Sequence, residues 1–328
     1  MSLTLSISES VAQIRQGNRR ILAKTITLLE STVESHVEQG QAILDALLPY
    51  TGKSVRLGIT GVPGVGKSTF IESFGLYLIE NGFRVAVLAV DPSSPITGGS
   101  IMGDKTRMVD LSRNPQAFIR PTPSSCTLGG VARKTREAML VCEAAGYDVI
   151  LVETVGVGQS ETLVASMVDM FLVLMLPNAG DELQGIKKGI LEMADLILVN
   201  KADGDYLAKA QLAKRDYSNA LRLVHPRKAM WNPEVLLCSA LQRMGFDELW
   251  TSIKKYRVQL TEAGVWEQQR QNQAYDWMWS LVEEELQRQF HKHPAVRKLL
   301  PSVEHSVRNE HLLPTVAAAQ LLKAWRGE

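Results

Sequence analysis

Residues Leu57 to Phe70 read LGITGVPGVGKSTF. A short apolar run passes into a glycine-rich loop that ends Gly-Lys-Ser-Thr, so the chain must deliver a buried strand to a loop and then to a helix start. Gly61, Val62, Pro63, Gly64, Val65, Gly66, Lys67 and Ser68 satisfy G-x-x-x-x-G-K-[ST] at every fixed position, with Thr69 following. The glycines let backbone N–H groups turn onto phosphate oxygens. The helix that opens at Ser68 adds a partial positive charge at the same spot. Lys67 is expected to bridge the β- and γ-phosphates, and the Ser68 hydroxyl to ligate Mg²⁺.

Around this loop the chain alternates short apolar runs with helical segments: VRLGIT, RVAVLAV, AFIRP, DVILVET, MFLVLML, LILVN and VLLCSA. Runs without period-2 polarity suit a mostly parallel sheet covered on both faces. The expected fold is therefore a doubly wound α/β P-loop domain over residues 51–258. Residues 1–50 carry helical spacing at Val11, Ile14, Ile21, Leu22, Ile26 and Leu29. Residues 259–328 carry no strand signal, and Tyr275, Met278, Val282 and Leu286 mark one helical face. The expected division is an N-terminal helical segment, the P-loop domain and a C-terminal helical segment. The last is too thin to hold a large core alone.

The run ADLILVNKADGD sets Asn200, Lys201 and Asp203 at the end of an apolar strand, where doubly wound folds bind ligands. A carboxylate at Asp203 accepts from guanine N1–H and N2–H₂. Adenine offers neither donor there, so ATP leaves Asp203 unpaired. Asn200 either holds the loop or reaches the base edge, and the Lys201 stem suits the purine face. Ser239, Ala240 and Leu241 follow the next strand, with a backbone N–H available for guanine O6. The expected ligand is GTP or GDP.

In YDVILVETVGVGQSE, Glu153 ends a strand where a carboxylate can hold Mg²⁺ through water, and Gly156 can bring its N–H to the γ-phosphate. Asp91 ends RVAVLAVD, and a strand beside the P-loop strand would set it by the metal. Asp104 follows a Gly-Gly stretch and either joins the metal shell or caps a helix. Val157 stands where Ras-like GTPases carry a water-orienting Gln, and Gln159 lies farther along. Slow intrinsic hydrolysis, completed by a partner or dimer, is the expectation. Asp181, Glu182, Gln184, Lys187 and Lys188 lie in a charged, glycine-loosened run that reads either as a solvated loop or as a third mobile element touching a partner.

A formal charge of +1 over 328 residues signals no broad basic face for nucleic acid. Cys126, Cys142 and Cys238 are far apart, which favours a reducing compartment. Lacking a secretory h-region or bilayer-length apolar run, the chain is expected to be cytoplasmic and free of the membrane. Arg133 and Arg136 admit a kinase-lid reading, although a solvated helix face is the better fit. His291 and His293 stand without cysteine, which does little for a metal-delivery role.

Taken together, GVPGVGKST, VDPSS, ETVGVGQSE, AGDELQGIKKGI and NKAD resemble the ArgK/MeaB family of P-loop GTPases, relatives of the signal-recognition and metallochaperone (SIMIBI) class. The resemblance implies a homodimeric GTPase chaperone of a cobalamin-dependent acyl-CoA mutase, typically methylmalonyl-CoA mutase, that gates cofactor loading and protects the mutase. It implies Mg²⁺ surrounded by Ser68, Asp91, Asp104 and Glu153. Lys67, Asp91, Glu153 and Gly156 would then form the catalytic group, Asp181 to Lys188 a third switch, and the C-terminal helices a dimer arm. A P-loop kinase and a metal-delivery GTPase are the alternatives.

Overall fold

The computed structural model describes residues 5–90, 108–121, 128–154, 160–177, 188–224 and 230–327. All seven apolar runs form strands: β1 Val55–Gly61, β2 Val85–Val90, β3 Ala117–Pro121, β4 Val149–Thr154, β5 Met170–Met175, β6 Leu196–Val199 and β7 Glu234–Leu237. They join into one sheet of order β3-β2-β4-β1-β5-β6-β7, and every pairing is parallel. The P-loop strand thus lies at the centre, between β4 and β5.

Alternate side chains feed two cores, which is why the runs are apolar throughout. Ala86, Leu88, Val90, Ile150, Val152, Phe171 and Val173 face one core. That core is closed by α1 Ile7–Arg15, α2 Arg19–Leu29, α3 Glu34–Leu47 and later helices. Val85, Val87, Leu57, Ile59, Leu151, Leu172 and Leu198 face the other. There α4 Lys67–Glu80 brings Phe70 and Phe74 into a ring cluster with Phe246 at 5.9 and 5.5 Å.

The helices between strands are α5 Val109–Arg113, α6 Leu128–Ala144, α7 Ser160–Ala165, α8 Lys188–Met193, α9 Leu207–Val224 and α10 Phe246–Glu262. They are followed by α11 Val265–Lys292, α12 Pro294–Arg308 and α13 Pro314–Arg326.

The N-terminal ends of the central strands are tied by three aspartates. Asp148, Asp169 and Asp195 precede β4, β5 and β6, and each carboxylate accepts the backbone N–H of Arg84, Arg56 or Phe171 at 2.8 Å. Asp169 also takes two 2.7 Å bonds from the Arg270 guanidinium. Asp195 has no such cation, and burial pushes its pKa up to about 7, against the opposing pull of the Phe171 N–H.

The chain divides into two compact units, 1–273 and 274–328, the boundary falling within α11. In the second unit Val296, Val303 and Ala317 are buried, while Tyr275, Met278, Val282 and Leu286 stand exposed. Among the described residues no helix is long and apolar enough to cross a membrane.

Candidate functional site

The C-terminal ends of β1, β4, β6 and β7 gather the described part of the site. Past β1 the loop Val62–Gly66 turns back on itself through a Val65 N–H bond to the Val62 carbonyl, 3.2 Å. The side chain of Val65 is fully buried and plugs the loop into the core. Gly66 caps α4 at φ 93°, a left-handed conformation that a side chain would strain. The first N–H groups of α4 therefore open onto the loop, as an anion site needs.

Lys67 donates to the Gly61 carbonyl at 2.7 Å and keeps two further N–H donors for a ligand. Burial holds its pKa below the usual lysine range, while Glu153 and Glu161 pull it back up. A cation partly desolvated in this way gains from an incoming polyanion. Ser68 donates to Glu153 Oε1 at 3.5 Å, and Glu153 is only 7% exposed at the end of β4. The two side chains thus bring oxygen donors of the kind a hard divalent cation takes. Beside them Thr154 donates to Thr60 at 2.8 Å, joining the ends of β4 and β1.

On the other flank Asn200 is 2% exposed. Its Nδ2 donates to the Val65 carbonyl at 2.8 Å, and its Oδ1 accepts from the Ala240 N–H at 3.0 Å. Of the two expectations for Asn200, holding the loop is the one seen. Lys201, at φ 58°, lies across the P-loop with Nζ 3.0 Å from the Gly64 carbonyl. Asp203 follows on the same turn, and no donor among the described residues meets its carboxylate. One backbone N–H among Ser239, Ala240 and Leu241 is expected to meet guanine O6; that of Ser239 bonds the Met244 carbonyl and that of Ala240 bonds Asn200. The Leu241 N–H remains, on a residue 76% exposed.

Two expectations need correction. The strand that leads to Asp91 is not next to the P-loop strand: β2 pairs with β4, which lies between it and β1. Strand adjacency is a crossover property that local sequence does not carry. Arg133 and Arg136 form no lid; they lie partly exposed on the helix and bond within the chain. Arg133 pairs with Glu137 at 3.0 Å, and Arg136 bonds the backbone carbonyls of Gln273 and Ser166, each at 2.9 Å.

Asp91, Asp104, Gly156, Asp181, Glu182, Gln184 and Lys187 lie outside the described residues, and only the backbone of Lys188, opening α8, falls within them. Sequence reasoning passed over Glu161. This carboxylate is 2% exposed in the first turn of α7 and acts on the Lys67 charge. Its signal was the Ser-Glu pair that starts a helix right after ETVGVGQ. No group of three or more His, Cys, Asp or Glu able to hold a metal exists among the described residues.

The family model for "Methylmalonyl Co-A mutase-associated GTPase MeaB" matches residues 22–295. A probable GTPase of Mycobacterium tuberculosis is 54% identical over 310 residues, 94% of this chain and 92% of that protein. The GTPase ArgK of Escherichia coli is 49% identical over 316 residues, 96% of each. A crystal structure described as LAO/AO transport system kinase superposes with a TM-score of 0.80 at 42% identity, covering 98% of both chains. A central parallel sheet that ends in a glycine-rich lysine loop, matched by this model over most of its length, places the chain in the MeaB family of P-loop GTPases.

Proposed function

We propose that the protein is a GTP-dependent switch that chaperones a cobalamin-dependent acyl-CoA mutase, methylmalonyl-CoA mutase, assisting cofactor loading and protecting the loaded enzyme. The family's description supports the mutase as client. The observation that carries the guanine part is the Asp203 carboxylate. It has no donor among the described residues, on a loop braced to the phosphate side by Asn200. A guanine edge supplies the two donors it lacks. The Leu241 N–H is the donor left for O6.

In this reading the N–H groups of residues 62–68 and the Lys67 ammonium hold the phosphates. Mg²⁺, held by Ser68 and by Glu153, with Asp91 and Asp104 completing the shell, would neutralise charge on the phosphate oxygens. Gly156 reads the γ-phosphate, and residues 181–188 meet the mutase. Val157 in place of a water-orienting glutamine makes intrinsic hydrolysis slow. Residues 259–328 serve as a homodimerisation segment, for which the exposed Tyr275, Met278, Val282 and Leu286 supply an apolar stripe. A cytoplasmic location accords with the free, buried Cys142 and Cys238.

The test is co-purification with candidate cobalamin mutases in GDP and in a non-hydrolysable GTP analogue. A complex that depends on the nucleotide supports the role, and its absence with every mutase removes it. The description of the solved relative as a transport system kinase keeps a kinase reading in view. Radiolabelled γ-phosphate recovered only as inorganic phosphate disposes of that reading.

A further inference from the structure

The helix α7 lies hard against the P-loop strand. A Cβ added to Gly58 of β1 would sit 2.9 Å from Val164 Cγ1 and 3.0 Å from Val168 Cγ2. Helix and strand cannot slide independently at that spacing. At its N-terminal end α7 carries Glu161, the buried carboxylate that acts on Lys67. At its C-terminal end the chain is gripped from two elements. Arg136 of α6 donates to Ser166 O at 2.9 Å and to Ser166 Oγ at 3.0 Å, and its other terminal nitrogen donates to Gln273 O at 2.9 Å. Gln273 in turn donates to Val168 O at 2.7 Å, and Gln269 to Asp169 O at 3.3 Å. Arg270 forks onto both oxygens of Asp169 at 2.7 Å.

Residues 269, 270 and 273 lie on one face of the root of α11. The two glutamine side chains donate to 168 and 169, a few residues past α7, while Arg270 holds Asp169 and also donates to the Gly52 and Ser54 carbonyls, each at 2.6 Å. Arg136 closes the ring by tying 273 to 166. Most of these acceptors are backbone carbonyls, so the grip follows the path of the main chain. We infer that α7 and the Arg136 fork form a relay that passes the occupancy of the phosphate cradle to the root of α11. It rests on the GTPase switch reading above. A polyanion on Lys67 competes with Glu161 at one end of α7, and the far end cannot move without Ser166, Val168 and Asp169 carrying Gln269, Arg270 and Gln273 with them. Only a planar fork reaches two carbonyls at once, so lysine at 136 keeps the charge and breaks the link.

The test is hydrogen-exchange mass spectrometry on the full chain, without nucleotide, with GDP and with a non-hydrolysable GTP analogue. Between the nucleotide-free and nucleotide-bound states, slow amides in 160–169 and in 265–273 are expected to change together, by about fivefold or more. Arg136→Lys and the milder Gln273→Met are each expected to keep the change at 160–169 and lose it at 265–273. A wild-type protein in which 160–169 responds and 265–273 does not overturns the relay and leaves the switch reading standing. One in which nucleotide binds and neither segment responds overturns both. Folded variants that still respond in both segments overturn the relay.

Discussion

Asp169 and Asp203 lie at opposite ends of the strands of one parallel sheet and are used in opposite ways. Asp169, 2% exposed, accepts from the Arg56 N–H and from both arms of Arg270. Every lone pair facing the protein is spent, and the residue fixes where β5 begins. Asp203 stands past β6 with no donor among the described residues, yet the loop that carries it is held by Asn200 to Val65 and Ala240. The fold braces the backbone around Asp203 and gives its part-exposed side chain no donor among the described residues. A carboxylate saturated inside the protein serves stability, and one that is positioned but left unsatisfied serves a ligand.

The contrast breaks most visibly at Asp169. Asp169→Ala takes the carboxylate from the half-buried Arg270, which keeps the Gly52 and Ser54 carbonyls, and leaves the Arg56 N–H without its acceptor; it is expected to cost about 3–5 kcal/mol of stability. Urea unfolding followed by circular dichroism measures this. Nucleotide affinity of the folded fraction should not change. Next comes the phosphate side: Lys67→Ala should lower single-turnover GTP cleavage by roughly 10²–10³-fold, the size of losing one charge-stabilising donor.

Much of this contrast was legible in the sequence, and some was not. All seven strands were visible because their runs are mostly apolar, the inner ones being buried on both faces while β3 and β7 at the sheet edges are only partly covered. The glycine-lysine loop and the NKAD turn were visible because their chemistry fixes spacing over a few residues. Hidden from the sequence were contacts made across long separations. Asn200 and Val65 are 135 residues apart, and Arg136 and Gln273 are 137 apart. Local pattern singles out Asp203 through NKAD, but it gives no sign that Asp169, which merely precedes an apolar strand, is a saturated structural carboxylate. What separates them is which end of the parallel sheet they occupy.

Asp195 sharpens the comparison as a third case, bonded to Phe171 N–H but given no cation. Its folded pKa, about 7, lies above its ordinary value of 3.8. The folded chain thus keeps a proton that the unfolded chain has released. Stability falls as pH rises between those values, and the cost is complete above the folded pKa. Asp195→Asn retains an oxygen for Phe171 and removes the charge. It should stabilise the protein at pH 8 by about 1–3 kcal/mol and change little near pH 4. Denaturant midpoints at the two pH values check this, and an equal effect at both would remove the contribution of ionisation.

The most direct measurement is the affinity of Asp203→Ala for GTP and for ATP, set beside that of the wild type by equilibrium titration. The account predicts that GTP weakens by about 10²-fold or more while ATP barely changes, with the unfolding midpoint unmoved. An unaltered preference between the two triphosphates in the folded variant would contradict it.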